Sequence, residues 1–319
     1  MGLISALEWL GRQGTRIAAV SVLVGLAIPP LAGALKPIFP VAIFLLLVFA
    51  FLRVDPIELR DRFRAPFLVA LACFGIMVLT PLAFGFVLPH LGIERLGPGV
   101  ALGLMMYLAA PPIMSSTAFA AMLRLDTALT LAVLIVCTTL TPLLAPLIVV
   151  HFAGSALHVD VAQLALRLLA ILGGAFATAS LLRWRLGSER IAAAKSSIDG
   201  INALLLFIFG IAAMDGVTAR AAKEPLLVGS LTLVAFGIAI GIYVLTTILF
   251  WREGLKKSLA LGFSSAHRNM GVMIAAAGSG LPELTWIYFA VAQFPIYLLP
   301  ALAAPAVHRL MERRLPGEE

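Results

Sequence analysis

Charged residues are scarce in this sequence. Aspartate, glutamate, lysine and arginine together make up 12% of its 319 residues, about half the share found in an ordinary soluble domain. Hydrophobic residues make up 61%, an excess that one soluble core of this length cannot bury. They form runs of about 17–25 residues, the length of a helix that crosses a bilayer, without the alternation expected of membrane β-strands. The composition therefore predicts an all-α polytopic membrane protein.

Cysteine is scarce as well. Cys73 and Cys137 both fall inside predicted spans, so we expect them to fill space in the core rather than to form a disulfide. The sequence also lacks a metal-ligand cluster, a phosphate-binding glycine loop and a nucleophile elbow, so no cofactor is expected. The net charge of +7 arises in short loops between spans, which favours a topology signal over nucleic-acid binding.

Long apolar runs predict ten membrane spans. The segment before the first span, residues 3–16, is predicted to be a short amphipathic helix that lies on the membrane surface. In an alternative interpretation, residues 1–34 form a signal peptide, because the Ala-Gly-Ala at 32–34 resembles a cleavage site. The ten spans are expected near residues 17–35, 37–53, 66–88, 98–123, 126–150, 161–182, 198–217, 226–250, 256–279 and 285–307.

The basic residues predict the orientation of the chain. Of the 23 lysines and arginines, 17 lie on the side of the amino terminus, 5 lie on the opposite side, and Arg268 falls inside a span. Because positively charged loops stay in the cytoplasm, both termini are expected there. The expected location is the inner membrane of a bacterium.

Ten spans divide into two sets of five, residues 1–150 and 151–319. A unit with an odd number of spans inserts upside down when it is repeated in tandem, which gives an inverted repeat. The fourth and ninth spans are then counterparts, and both are interrupted. The fourth contains AAPPIMSSTAF with Pro111 and Pro112, and the ninth contains SSAHRNMG at 264–271. Paired breaks of this kind indicate a binding site in the middle of the membrane.

The two breaks also carry a resemblance to a known family. Residues 110–147 resemble the fourth and fifth spans of the bile acid:sodium symporters, in which a break rich in proline and glycine precedes a turn and a TLLSPLL-like end. Residues 258–278 are similar to the ninth span of that family, and the sequence FPIYLLPAL at 294–302 also fits. The resemblance implies a panel domain packed on a core domain, with the two broken helices crossing in the core. It also implies transport by alternating access.

In that family, sodium is held beside the crossing by carboxylate, amide, hydroxyl and carbonyl oxygens. The resemblance implies that a third-span glutamine of the family falls near Ile76. Ser264 stands where the family has a glutamate, and Arg268 stands where it has a glutamine. Because a guanidinium would repel sodium, the resemblance implies that Arg268 substitutes for the ion and that sodium coupling is altered. The positions carried over as ion-binding are Ser116, Thr117, Thr130, Ser264 and Asn269.

Arg268 has two interpretations. An arginine at the centre of a bilayer costs about 2.5–3.5 kcal/mol on insertion scales, so it requires a partner. It is bonded either to carbonyl oxygens of the broken helices or to the anionic end of a substrate. Both are compatible, since a guanidinium carries five donors.

The neighbouring polar residues add to an anion site. Ser115, Ser116 and Thr117 are expected at the N-cap of one restarting half-helix, and Asn269 is expected to cap the other. Two helix N-termini with partial positive charge favour an anion beside Arg268. His267 is interpreted either as a group that titrates and couples transport to protons or as a neutral hydrogen-bonding group.

The sequence predicts a secondary transporter of organic anions embedded in the lipid bilayer. The predicted substrate contacts are Arg268, Asn269, His267, Ser115, Ser116, Thr117 and Thr130. Sodium is the coupling ion by resemblance, and proton-coupled or uncoupled transport is the alternative. An intramembrane enzyme would have to use His267 with Ser264 or Ser265, and no acidic residue nearby orients that histidine. A third alternative is a membrane scaffold that does not transport. It would be distinguished from a transporter because proteoliposomes that contain it would not accumulate substrate.

Overall fold

A computed structural model describes residues 3–53, 66–153, 160–278 and 280–314. Their regular elements are all helical, as the composition predicts. Short 3-10 turns and one π-helical turn, Gly75–Leu79, connect some of them. The α-helices are α1 (Leu3–Arg12), α2 (Gly14–Ala27), α3 (Pro29–Leu35), α4 (Phe39–Arg53), α5 (Pro66–Phe74), α6 (Thr80–His90), α7 (Pro98–Ala109), α8 (Ser116–Met122), α9 (Thr127–Ala153), α10 (Val161–Leu186), α11 (Ser188–Ala193), α12 (Lys195–Ala213), α13 (Val217–Lys223), α14 (Pro225–Leu249), α15 (Leu255–Ala266), α16 (Met270–Ala277) and α17 (Glu283–Arg314).

Seven helical segments in the described part of the chain are long and apolar enough to cross a membrane. They fall on the second, third, fifth, sixth, seventh, eighth and tenth predicted spans, and the other three spans consist of shorter helices. The seven segments are Pro29–Arg53, Pro66–His90, Thr127–Ala153, Val161–Leu186, Lys195–Lys223, Pro225–Leu249 and Glu283–Met311. The chain is therefore an integral membrane protein.

The boundary between the first two predicted spans is wrong. We expected a first span near 17–35, but α2 ends at Ala27 and α3 leads through a 3-10 turn into α4. Ile28 lies between α2 and α3 with φ −125° and ψ 70°, outside the helical region. The reason is local, because the ring of Pro29 disfavours helical geometry at the residue before it.

The amino-terminal helix is placed differently from the prediction. We expected residues 3–16 to form a separate helix on the membrane surface, but α1 packs against α12 and only Gln13 separates it from α2. A side chain at Gly200 would collide with the carbonyl oxygen of Leu7, so the two backbones are in direct contact there. This close approach requires glycine. α1 is therefore part of the helix bundle.

The fourth and ninth predicted spans are both interrupted in the structure. α7 and α8 are separated by residues 110–115, and α15 and α16 are separated by residues 267–269. Both breaks lie among buried residues, as do Cys73 and Cys137, which are free thiols. The prediction for the cysteines is confirmed. Of the basic residues that predicted the orientation, Arg60, Arg62 and Arg64 lie outside the described residues.

Candidate functional site

The two helix breaks contact each other through their backbones. Pro112 and Arg268 form an antiparallel bridge, in which Ile113 N–H donates to His267 O at 2.9 Å and Asn269 N–H donates to Pro111 O at 2.7 Å. The prolines of the first break have no N–H groups, so this segment cannot continue a helix. Because no water is available in a bilayer core, each break supplies the hydrogen bonds that the other has lost.

The side chain of Arg268 lies at this crossing and is completely buried. Its Nε donates to Ser265 O at 2.5 Å, its Nη1 to Ala110 O at 3.0 Å, and its Nη2 to Ile76 O at 3.0 Å. The three acceptors belong to three separate parts of the chain: the last turn of α15, the first break and the π-helical turn. Among the described residues no carboxylate forms an ion pair with this guanidinium. Arg268 is therefore held by carbonyl dipoles and its charge is not neutralised by an acidic partner there.

The carbonyl of Ile76 is available because of the π-helical turn. Within that turn Thr80 N–H pairs with Gly75 O, five residues earlier, so Ile76 O would pair with the N–H of residue 81. That residue is Pro81, which has none. The Thr80 hydroxyl also donates to Gly75 O, at 2.7 Å. The local sequence therefore leaves one buried carbonyl without a backbone donor, and Arg268 supplies it.

A tyrosine completes the bonding of the ninth-span break. The hydroxyl of Tyr107, in the last turn of α7, donates to Ala266 O at the end of α15. The ring of Tyr107 packs edge-to-face against Tyr288, with centroids 6.4 Å apart. The C-terminal end of α15 is thus bound by a side chain from the opposite break, which helps to fix the crossing.

A cavity of about 270 Å³ lies next to the crossing. Its walls come from α4, α9, α12 and α17 together with the two breaks. Most of the lining is apolar, and the polar side chains are few, which is the usual character of a small-molecule site. The polar and charged residues of the lining are Arg53, Ser115, Thr117, Thr127, Thr138, Asn202, Arg268, Asn269, Gln293 and Tyr297.

Four of the predicted site residues line this cavity, namely Arg268, Asn269, Ser115 and Thr117. Ser115 and Asn269 occupy the N-cap positions of α8 and α16, as expected, but neither side chain makes a capping hydrogen bond. The prediction that the Asn269 side chain caps α16 is wrong, since the N–H of Val272, a possible partner for the cap, pairs with the backbone oxygen of Asn269 at 3.3 Å instead. The Asn269 amide is therefore free to face the cavity.

The remaining predicted hydroxyls lie outside the lining. Thr130 and Ser264 are fully buried, and each donates to the carbonyl oxygen four residues earlier, at 2.8 Å and 2.9 Å. Ser116 is also fully buried, and its hydroxyl has no hydrogen-bond partner. Back-bonding of this kind satisfies a hydroxyl within its own helix.

His267 also lies outside the lining. Its side chain is 2% exposed, its Nδ1 is 3.0 Å from Phe263 O, and its ring stacks on the Phe263 ring with centroids 4.0 Å apart. The structure therefore brings Arg268 and Asn269 to the cavity, whereas the preceding His267 packs against Phe263 in the protein interior.

One end of the cavity is marked by Arg53, Thr127 and Asn202. These residues belong to the end of α4, the start of α9 and the first half of α12. In the predicted topology the end of α4 and the start of α9 lie on the side that carries most of the basic residues, and the Arg53–Asp199 ion pair joins the first half of α12 to the end of α4. Sequence reasoning missed Arg53 and Asn202 as lining residues, because nothing in their local sequence separates them from ordinary residues near a helix end.

Aromatic side chains pack together at the opposite end. The Phe39 ring lies 5.2–5.5 Å from the rings of Trp286, Phe209 and Phe289, and Phe209 also lines the cavity. Above them Asp215 accepts from Lys36 Nζ at 2.9 Å, and its backbone oxygen accepts from Trp286 Nε1 at 3.1 Å. We call Phe39, Phe209, Trp286 and Phe289 the aromatic seal. Asp215 therefore pairs with Lys36 and forms no ion pair with Arg268.

The comparisons with known proteins complete the description. A family model described as the sodium bile acid symporter family matches residues 40–219, more than half of the chain. The matched region runs from α4 into α13 and contains the first break, the π-helical turn, Arg53 and Asn202, but it ends before the second break. No curated protein matches the chain.

Proposed function

The chain belongs to the sodium bile acid symporter family, and from this premise we propose that it is a secondary transporter that carries organic anions through the membrane. The observation that carries the proposal is the apolar cavity of about 270 Å³ with Arg268 and Asn269 at its inner end. Members of this family are transporters, which favours transport over intramembrane catalysis. The apolar lining selects a ligand with a hydrophobic body.

The charge of the site supports a monoanion. Arg268 lies in the wall of the cavity, and in the described part of the chain no acidic residue pairs with it. Two opposite charges 4 Å apart attract by about 4 kcal/mol at an effective dielectric constant of 20. The three carbonyl bonds use three of the five N–H groups, and because the side chain is completely buried, the other two reach a ligand only when the wall around it moves. We infer that the carboxylate or sulfate of the substrate faces Arg268, with Asn269, Ser115 and Thr117 beside it.

Arg268 also bears on the coupling ion. Three carbonyl oxygens from separate segments surround its guanidinium, an arrangement that would suit a bound cation. We propose that this tethered charge takes the place of a sodium ion and that transport proceeds without a sodium gradient. Sodium symport remains the mechanism that the family name suggests, and proton coupling through His267 is disfavoured because that side chain does not line the cavity.

The arrangement of the cavity supports one state of a transport cycle. Arg53, Thr127 and Asn202 lie at its open end, and the aromatic seal closes the other. We propose that this is the inward-facing state of an alternating-access transporter with cytoplasmic termini, in the inner membrane of a bacterium. We further propose that residues 1–150 and 151–319 form an inverted repeat, since an interrupted span follows a long helix in each half.

Uptake into proteoliposomes tests the proposal. Decanoate labelled with ¹⁴C is offered in sodium and in choline, each with the protein and with empty liposomes as a control. Protein-dependent exchange of decanoate supports the transporter, and equal rates in the two salts support replacement of the ion by Arg268. Exchange that requires sodium would show that the coupling is that of the family name. A protein that exchanges neither decanoate nor any other monoanion of a test panel would contradict the proposed function.

A further inference from the structure

A second polar group of residues lies at the open end of the cavity. Arg53 ends α4, and its Nη1 is 3.2 Å from Asp199 Oδ1 on α12. Asn202 follows Asp199 by three residues, so both face the same side of α12. Arg53 and Asn202 line the cavity, whereas Asp199 stands behind Arg53. We call Arg53, Asp199 and Asn202 the mouth cluster.

The mouth cluster is far from Arg268. Ile43, on α4, packs directly against Gly271, where a Cβ atom would lie 2.7 Å from Ile43 Cδ1. Arg53 is ten residues further along the same helix, a rise of about 15 Å. The wall between them is apolar and includes Leu46, Leu47 and Ala50. The cavity is therefore an elongated apolar channel with polar residues at each end.

The two ends differ in charge. At the inner end Arg268 has no acidic partner among the described residues, whereas at the mouth Asp199 balances the charge of Arg53. The side chains of Arg53 and Asp199 are 35% and 31% exposed, so both remain partly hydrated. Within the described mouth cluster, Arg53 offers hydrogen-bond donors, Asn202 offers a donor and an acceptor, and the Arg53–Asp199 pair carries no net charge.

We propose that the mouth cluster is a second recognition point that selects a neutral hydrogen-bonding group, such as a hydroxyl, at the trailing end of the ligand. This inference rests on the proposed function and narrows it to elongated monoanions with an uncharged polar end. A second carboxylate is disfavoured because Asp199 already pairs with Arg53, so a new carboxylate would have to compete with it for that cation. A bare alkyl end is disfavoured because it displaces water from Arg53 and Asn202 without replacing the hydrogen bonds.

Three ligands that share one ten-carbon chain test the proposal. Decanoate, 10-hydroxydecanoate and decanedioate are titrated by calorimetry against the full chain in lipid nanodiscs. The variants are Arg53→Met, which keeps an apolar stem and removes the donors, and Asn202→Leu. Arg185→Met is the matched control, because Arg185 is exposed at the same end and stacks over Trp184 instead of lining the cavity.

We expect the unsubstituted protein to bind 10-hydroxydecanoate about tenfold more tightly than decanoate, the value of a hydrogen bond to a charged group. We expect decanedioate to bind no more tightly than decanoate. The preference for the hydroxyl should fall below about twofold in Arg53→Met, decrease in Asn202→Leu, and stay unchanged in Arg185→Met.

The inference is overturned if Arg53→Met still prefers 10-hydroxydecanoate, or if decanedioate binds more tightly than decanoate. In either case, binding of decanoate would still support the proposed function. Equal binding of decanoate and 10-hydroxydecanoate by the unsubstituted protein would overturn it in the same way. If none of the three ligands binds, the inference fails. The proposed function is then tested separately by the proteoliposome uptake experiment with other monoanions.

Discussion

The Nη2 atom of Arg268 donates a hydrogen bond to the carbonyl oxygen of Ile76 at 3.0 Å, across 192 residues of sequence. One of these residues lies in the π-helical turn and the other in the second helix break. The bond exists because each side has a defect that the other corrects: a carbonyl without a backbone donor, and a buried cation without a carboxylate among the described residues. The contacts of Arg268 thus confirm the first interpretation of its position in the sequence, a charge bonded to carbonyl oxygens around the broken helices, and binding of a substrate anion stays a prediction.

Replacement of Arg268 by methionine is expected to abolish transport and to lower stability. Three buried carbonyls lose their donor, and each costs about 1–3 kcal/mol when left unpaired. Arg268→Lys should recover part of the stability but little of the transport, because an ammonium cannot match the three directions of the guanidinium. The measurements are decanoate exchange in proteoliposomes and thermal unfolding in detergent, with Arg185→Met as the control. Full transport by Arg268→Met would show that this residue does not bind the anion.

Replacement of Pro81 by alanine is expected to reduce transport without loss of stability. The new N–H group allows the π-helical turn to relax to an α-helix in which Ile76 O pairs with Thr80 N–H. Nη2 of Arg268 then loses its acceptor. Pro89→Ala is the matched control, since Pro89 lies in the same helix near its end. The expected results are a several-fold fall in decanoate exchange for Pro81→Ala alone and unfolding temperatures that do not decrease. Unchanged exchange would mean that Ile76 is not needed to position Arg268.

A bulky side chain in the cavity is expected to block transport. Leu131 lines the cavity on α9, and Leu143, on the same helix, is 64% exposed outside it. Leu131→Trp should reduce decanoate binding and exchange at least about tenfold by filling the space that the ligand needs. Leu143→Trp should leave both near the unsubstituted level. If both variants behave alike, the ligand occupies another part of the protein.

Weakening the aromatic seal is expected to open the cavity toward the second face. Lys36 pairs with Asp215 and lies over the ring of Trp286, so we expect this pair to help close that end of the cavity. Asp215→Asn removes the negative charge that holds Lys36 there. A cysteine placed at Met114, in the lining, reports access by a membrane-impermeant maleimide. Labelling from the face of Lys36 should rise in Asp215→Asn and not in Glu224→Gln, a control at the same end. Cys73 and Cys137 are 2% and 0% exposed and should add little background. Equal labelling in both variants would show that the Lys36–Asp215 pair does not hold this end closed.

Much of the site was predictable because its chemistry is local. Two adjacent prolines at 111 and 112 cannot remain within a helix, and a cationic residue inside an apolar run requires partners. The sequence therefore predicted both breaks and the need for acceptors around Arg268. Family resemblance added the expectation that the two breaks meet.

Other features were not predictable because they depend on packing between distant segments. Identifying the carbonyl oxygen of Ile76 as an acceptor for Arg268 requires the hydrogen-bond register of the π-helical turn. From the sequence, Pro81 indicates only that some carbonyl near it lacks a backbone donor. The capping expected of the Asn269 side chain does not occur, since the N–H of Val272 pairs with the backbone oxygen of Asn269. Arg53 and Asn202 resemble ordinary residues near helix ends until α4 and α12 are placed around the cavity.

The backbone pairing of the two breaks also constrains how the protein is made. Ile113 N–H and Pro111 O find their partners at His267 and Asn269, which the ribosome adds about 150 residues later, a delay of roughly 10–30 s at ordinary rates of synthesis. Until then the first break enters the bilayer with unpaired backbone groups, which hydrocarbon does not tolerate. Final docking of the fourth span must therefore wait for the ninth, and biogenesis of the carboxyl-terminal half completes the folding of the amino-terminal half.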